Sequence, residues 1–193
     1  MTAAGSGRHS STKEQRRTLM AVSILLVAIL PALLVAAAIF DLTSFTIPNM
    51  LPAAMFALFA AFLLANTLNG HGLSWGDIWP HLLAGAVALV AGMALFAAGW
   101  VGGGDAKLFA MACLWLGWDS MYEYTLVASL LGGILTIALI TVRRFPLPTL
   151  LAAQPWLVRL ADRNSGVPYG VALAIAALVV LPDTELFRIA ATS

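Results

Sequence analysis

Apolar residues in this chain come in long runs and not in the one-sided spacing that lets a soluble helix or strand bury a single face. The runs fall near residues 19–40, 50–68, 82–100, 107–118, 122–142 and 167–182, divided by short stretches that hold most of the charge. Most approach the roughly 20 residues that a helix needs to cross a hydrocarbon core. The pattern therefore predicts an all-α, polytopic membrane protein with about six transmembrane helices. The fourth run is the exception. Even counted from Gly104 it rises only about 22 Å, against a core of about 30 Å. Either the bilayer thins there or the glycine end lies recessed, in a wet cavity or under other protein.

Composition sharpens this picture. The chain is 61% hydrophobic and 10% charged, with mean hydropathy +0.93, so the bilayer is its first partner. A net charge of +1 gives no basis for nucleic-acid binding. The single cysteine, Cys113, excludes an intramolecular disulfide and a cysteine zinc site, and is expected to be a small buried hydrophobe. Residues 1–18, with Arg8, Lys13, Arg16 and Arg17, form a polar tail, and residues 19–193 are expected to make one membrane-embedded domain. The first run also resembles a signal peptide, but its length suits a spanning helix, with Pro31 kinking it or freeing a carbonyl.

The polar punctuation carries the remaining signals. His71, Asp77 and His81 share no helical face, so no metal site is expected. Trp75, Trp79, Trp100, Trp115 and Trp118 are placed as interfacial anchors, and Gly85 and Gly92 give the third span a face for close packing. Residues Pro155 to Arg163 are expected to form a short helix on the membrane, with Trp156, Leu157 and Leu160 toward lipid and Arg159 and Arg163 toward headgroups.

Two acids stand out against the apolar background. Asp105 closes the run Val101-Gly102-Gly103-Gly104-Asp105-Ala106-Lys107. Three glycines allow positive φ or close backbone approach, and Asp105 sits at a helix N-terminus, either as an N-cap or as a functional carboxylate. Asp41 begins Asp41-Leu42-Thr43-Ser44-Phe45-Thr46-Ile47-Pro48-Asn49, where Ile47-Pro48 breaks the helix before the second span. By itself Asp41 is either a solvated loop charge or a functional acid.

Together, Asp41 as D-x5-I-P-N and Asp105 as G-x-G-D resemble the type IV prepilin peptidases of bacteria, which are intramembrane aspartic proteases. The closer resemblance is to the short, single-domain members of tight-adherence pilus systems. It covers nearly the whole chain, down to Pro168-Tyr169-Gly170 at the start of the last span. The resemblance implies Asp41 and Asp105 as catalytic residues, with Gly102, Gly103, Gly104, Lys107, Pro48 and Asn49 shaping and supporting the site. It implies a prepilin substrate cut behind a short basic leader, other pilus-assembly proteins as partners, no cofactor or metal, and residence in the bacterial inner membrane. Many relatives carry arginines where this chain has Thr43, Ser44 and Thr46. The cysteine-bearing methyltransferase domain of longer members has no counterpart, so methyl transfer is not expected.

Two-carboxylate hydrolysis needs one group ionised, to take a proton from water, and one protonated, to polarise the carbonyl and protonate the amine. Neighbouring acids do not both ionise cheaply, so one proton is shared. By helix-end electrostatics Asp105 is expected to be the ionised member and Asp41 the protonated one. The basic residues divide evenly between the two sides, five with the N-tail and five with Lys107 and the 143–166 connection. The positive-inside rule therefore ties, and its first-helix tie-breaker would put the acids outside. A basic leader that stays in the cytoplasm until cut requires the reverse, with both acids on the cytoplasmic side. The competing readings are a proton-coupled transporter using intramembrane Asp and a noncatalytic pilus-assembly subunit.

Overall fold

The computed structural model describes residue 25 and residues 28–68, 74–145, 153–184 and 186–187. The polar tail, His71, Arg188 and the carbonyl that Pro31 would free at position 27 lie outside the described residues. Among those described there is no strand. In chain order the helices are α1 (Ala28–Ser44), α2 (Met50–Leu68), α3 (Trp75–Ala97), α4 (Gly103–Val142), α5 (Pro155–Ala161) and α6 (Tyr169–Val180), which runs into a 3-10 turn (Leu181–Asp183). Three of these, α2, α3 and α4, are long and apolar enough to cross a membrane.

Helix α4 is two helices in one. At Gly117 the backbone leaves helical space, with φ 80° and ψ 176°, and the chain doubles back. Phe109 stacks on Tyr124 with ring centroids 5.4 Å apart, and Asp105 and Ala106 share a cavity with Ala128 and Ser129. Those pairs lie at equal or nearly equal sequence distances from Gly117, as in an antiparallel hairpin. The segment before the break, 103–116, is about 21 Å long at 1.5 Å per residue, so the shortened fourth helix is present. The fourth and fifth runs are separated by one glycine and not by a loop.

Small residues set how closely the helices pack. A Cβ on Gly92 would lie 3.0 Å from the Cβ of Ala106, and one on Gly85 would lie 3.1 Å from the Cβ of Leu114, so α3 and the first half of α4 run antiparallel in close contact. The outer surface is apolar, with Val35, Ile39, Phe56, Leu64, Val90, Ile134 and Ile137 exposed. The buried stripe of α1 is Leu30, Leu34 and Ala37, and the next residue on that face is Asp41.

One expected anchor is inside. Trp115 is fully buried; its indole N–H donates to the Met55 carbonyl at 3.0 Å, and it meets Phe59 edge to face. A buried tryptophan needs such an acceptor, and α2 supplies it, whereas Trp75, Trp79, Trp100 and Trp118 remain exposed. His81 is also structural: its Nδ1 lies 3.0 Å from the Leu114 carbonyl, and its ring covers Gly117. Asp77 closes a capping box with Ser74 at the start of α3.

Gly117→Ala is expected to destabilise the protein by at least about 1–2 kcal/mol, because a side chain is disfavoured in the left-handed region and its Cβ would sit 2.8 Å from His81. Gly133→Ala, whose Cβ meets nothing, is expected to be neutral. Thermal unfolding in detergent checks both; equal stability of the two variants would show that the break at Gly117 is not fixed.

Candidate functional site

Four helix ends converge on one point. Helix α1 ends at Ser44, and Phe45, at φ 55°, turns the chain out of the helix while its amide donates to the Asp41 carbonyl at 2.9 Å. Two hydroxyls of the last turn bond back along the helix: Thr43 Oγ1 donates to Ile39 O at 2.7 Å and Ser44 Oγ to Phe40 O at 2.6 Å. The turn delivers Ile47 back toward the protein, where it is buried. Pro48 then accepts from the Leu51 amide at 3.0 Å and starts α2.

The glycine run works by closeness and not by unusual dihedrals. Gly102 is the N-cap of α4 with φ −68°, and the left-handed glycines are Gly99 and Gly117. Asp105 is therefore the third helical residue, not the cap. Its carboxylate folds back so that a Cβ on Gly102 would lie 3.0 Å from Oδ2, and a Cβ on Gly104 would lie 3.1 Å from the Cβ of Ile47. Gly103 faces the ring of Phe96, 3.3 Å from where its Cβ would be.

The third contributor was not singled out in the sequence as a site residue. Gly170, in the first turn of α6, is buried, and a Cβ there would fall 2.8 Å from Asp41 Oδ2 and 2.7 Å from Ile47 Cδ1. Its amide approaches both carboxylates, joined by that of Val171 at Asp41 and that of Gly102 at Asp105. The two acids are close enough to interact as charges. Asp41 is 4% exposed, and its Oδ2 takes no hydrogen bond among the described residues; Asp105 is half-buried. Beside Asp105 an apolar cavity of about 700 Å³ opens between Trp100, Phe109, the face of α4 around Ser129 and Gly132, and Tyr169 and Leu173 of α6.

The Lys107 ammonium donates to Asn49 Oδ1 at 2.8 Å and makes no ion pair among the described residues. This strut ties the start of α2 to the start of α4 from the outside. Among the described residues no group of His, Cys, Asp and Glu is arranged to hold a metal.

The type IV leader peptidase family matches residues 28–137, more than half of the chain and inclusive of both acids. No curated protein and no solved structure matches it. The match identifies a protease family, and the apolar helices a membrane protein.

The strut makes a prediction of its own. Lys107→Met and Asn49→Leu should each lower stability by about 0.5–1 kcal/mol, as for a partly solvated charge-assisted hydrogen bond, and the double variant should be no worse than the poorer single one. Additive losses in thermal unfolding would mean that the two side chains act separately.

Proposed function

Because the chain belongs to the type IV leader peptidase family, we propose that it is an aspartic endopeptidase of the bacterial inner membrane, removing the short basic leader of a tight-adherence type prepilin. Asp41 and Asp105 are the catalytic pair. The observation that carries this reading is that two acids far apart in sequence meet over the backbone of Gly170, next to an apolar cavity suited to a membrane-inserted substrate.

The reaction follows from what two such groups can do. The ionised member takes a proton from a water molecule as the water oxygen adds to the scissile carbonyl, while the protonated member donates to the carbonyl oxygen. The tetrahedral intermediate then collapses, the C–N bond breaks, and a carboxyl proton passes to the leaving amine. Helix-opening amides approach both members, Gly170 and Val171 at Asp41 and Gly102 and Gly170 at Asp105, so the helix ends do not set one acid apart as the base; the proton belongs to the pair, which titrates as one device.

Co-expression with a prepilin is expected to shorten it, and Asp41→Asn and Asp105→Asn should each slow cleavage at least about a hundredfold, as for loss of a general acid or base. The double variant should be little worse. Wild-type processing by either single variant would remove the pair from the mechanism.

The glycines grade the same assay. Gly104→Ala presses a Cβ onto the Cβ of Ile47 and Gly170→Ala presses one onto the Asp41 carboxylate, and both should cut cleavage more than protein level. Gly103→Ala meets only an exposed, movable Phe96 ring and should be the most tolerant. A fully active Gly170→Ala would show that close approach at the pair is not required.

A cytoplasmic leader requires a cytoplasmic site. In a Cys113→Ala background, an impermeant thiol reagent applied to intact cells should label a cysteine at Ser6 and spare cysteines at Ser44 and Ser165. The opposite labelling would place the acids outside, where the leader is not available.

A further inference from the structure

The connection between α4 and α6 carries a charge imbalance that hydrolysis does not use. From position 143 to position 166 the chain holds four arginines and one acid, Asp162, and the stretch 146–152 has no charged residue. The arginines do not disperse. Arg143, Arg144, Arg159 and Arg163 all line one pocket of about 870 Å³ between the end of α4 and α5.

Two of them are committed to backbone. Arg143, 9% exposed, donates from Nε to Leu160 O at 2.8 Å, from one terminal nitrogen to Ser165 O at 2.9 Å and from the other to Gly166 O at 2.8 Å. Arg163 Nε donates to Arg143 O at 3.0 Å. Carbonyls satisfy the N–H groups but leave the charge uncompensated. Arg144 and Arg159 keep their guanidinium donors unused among the described residues, and Asp162 accepts from the Asn164 amide at 2.9 Å. Four cations around one space with a single exposed acid repel one another unless an anion joins them.

The remaining walls say which anion. Phe145, Pro155 and Val158 complete the pocket; Phe145 and Val158 are exposed apolar side chains, beside the end of an apolar spanning segment. A ligand that fits has a phosphate for the planar guanidinium forks and an apolar portion joined to it. We infer that the pocket lined by Arg144 and Arg159 binds the phosphate of an anionic phospholipid headgroup. The bound lipid fastens the 160–166 turn that Arg143 organises, and four residues later that turn delivers Gly170 to Asp41. Lipid composition thereby reaches the carboxylate pair through backbone.

The experiment uses the full chain purified in detergent and scores lipid binding, not cleavage, so it stands or falls separately from the peptidase reading. Native mass spectrometry is run with added phosphatidylglycerol, with phosphatidylcholine, and with phosphatidylglycerol plus excess inorganic phosphate. The wild type is expected to retain phosphatidylglycerol at least tenfold over phosphatidylcholine, with no displacement by inorganic phosphate. The Arg144→Gln, Arg159→Gln double variant should lose that preference while keeping the wild-type Tm without added lipid, since neither side chain holds a partner among the described residues. Equal retention of the two lipids, wild-type retention by the double variant, or displacement by inorganic phosphate, which would make the ligand a soluble anion, each overturns the assignment.

Discussion

A carboxylate buried in a membrane protein is the constraint on which this structure turns. Asp41 continues the apolar stripe of α1 and is almost wholly enclosed, where an ionised group costs several kcal/mol unless neighbours compensate it. Compensation here comes from geometry at helix ends. The first turns of α4 and α6 point their amides at the acids, and the second acid stands close enough to interact with the first as a charge. The approaches to the acids leave no room for a Cβ at Gly102 and Gly170, and Gly104 makes the same room for Ile47.

The scaffold serves the same end. A single left-handed glycine lets α4 reverse after about 21 Å, so that its second half returns to the side on which the acids lie and delivers the chain to the arginine turn and then to α6. His81 fills the space a side chain at Gly117 would occupy. The Lys107–Asn49 strut holds α2 to α4 on the outside, leaving the inner face to Ile47, which touches both Gly104 and Gly170.

Much of this was legible in the chain because membrane helices announce themselves by length, and because a helix break beside an acid is visible as Ile47-Pro48 or as consecutive glycines. The short fourth helix was predicted from its rise alone. What escaped depended on partners far away in sequence. Trp115 looked like an interfacial anchor because nothing nearby reveals the Met55 carbonyl. Lys107 had an open destination until Asn49, remote in the chain, was placed beside it. The glycine run suggested positive φ, but residues 102–104 are short of space and not of dihedral freedom, and the left-handed glycines among the described residues are Gly99 and Gly117. Gly170 looked like the unremarkable start of a helix, since its neighbours Asp41 and Ile47 belong to the other end of the protein.

The proposed chemistry requires Asp41 and Asp105 to face one another in the membrane. With Cys113 replaced by Ala, cysteines at both positions should be joined through disulfides by a short bis-methanethiosulfonate reagent. After cleavage at a protease site inserted in the 69–73 connection, the two fragments should stay together until reduced. Ile47→Cys with Gly104→Cys serves as the control pair. If the control joins and the 41–105 pair does not, the two acids do not form one site.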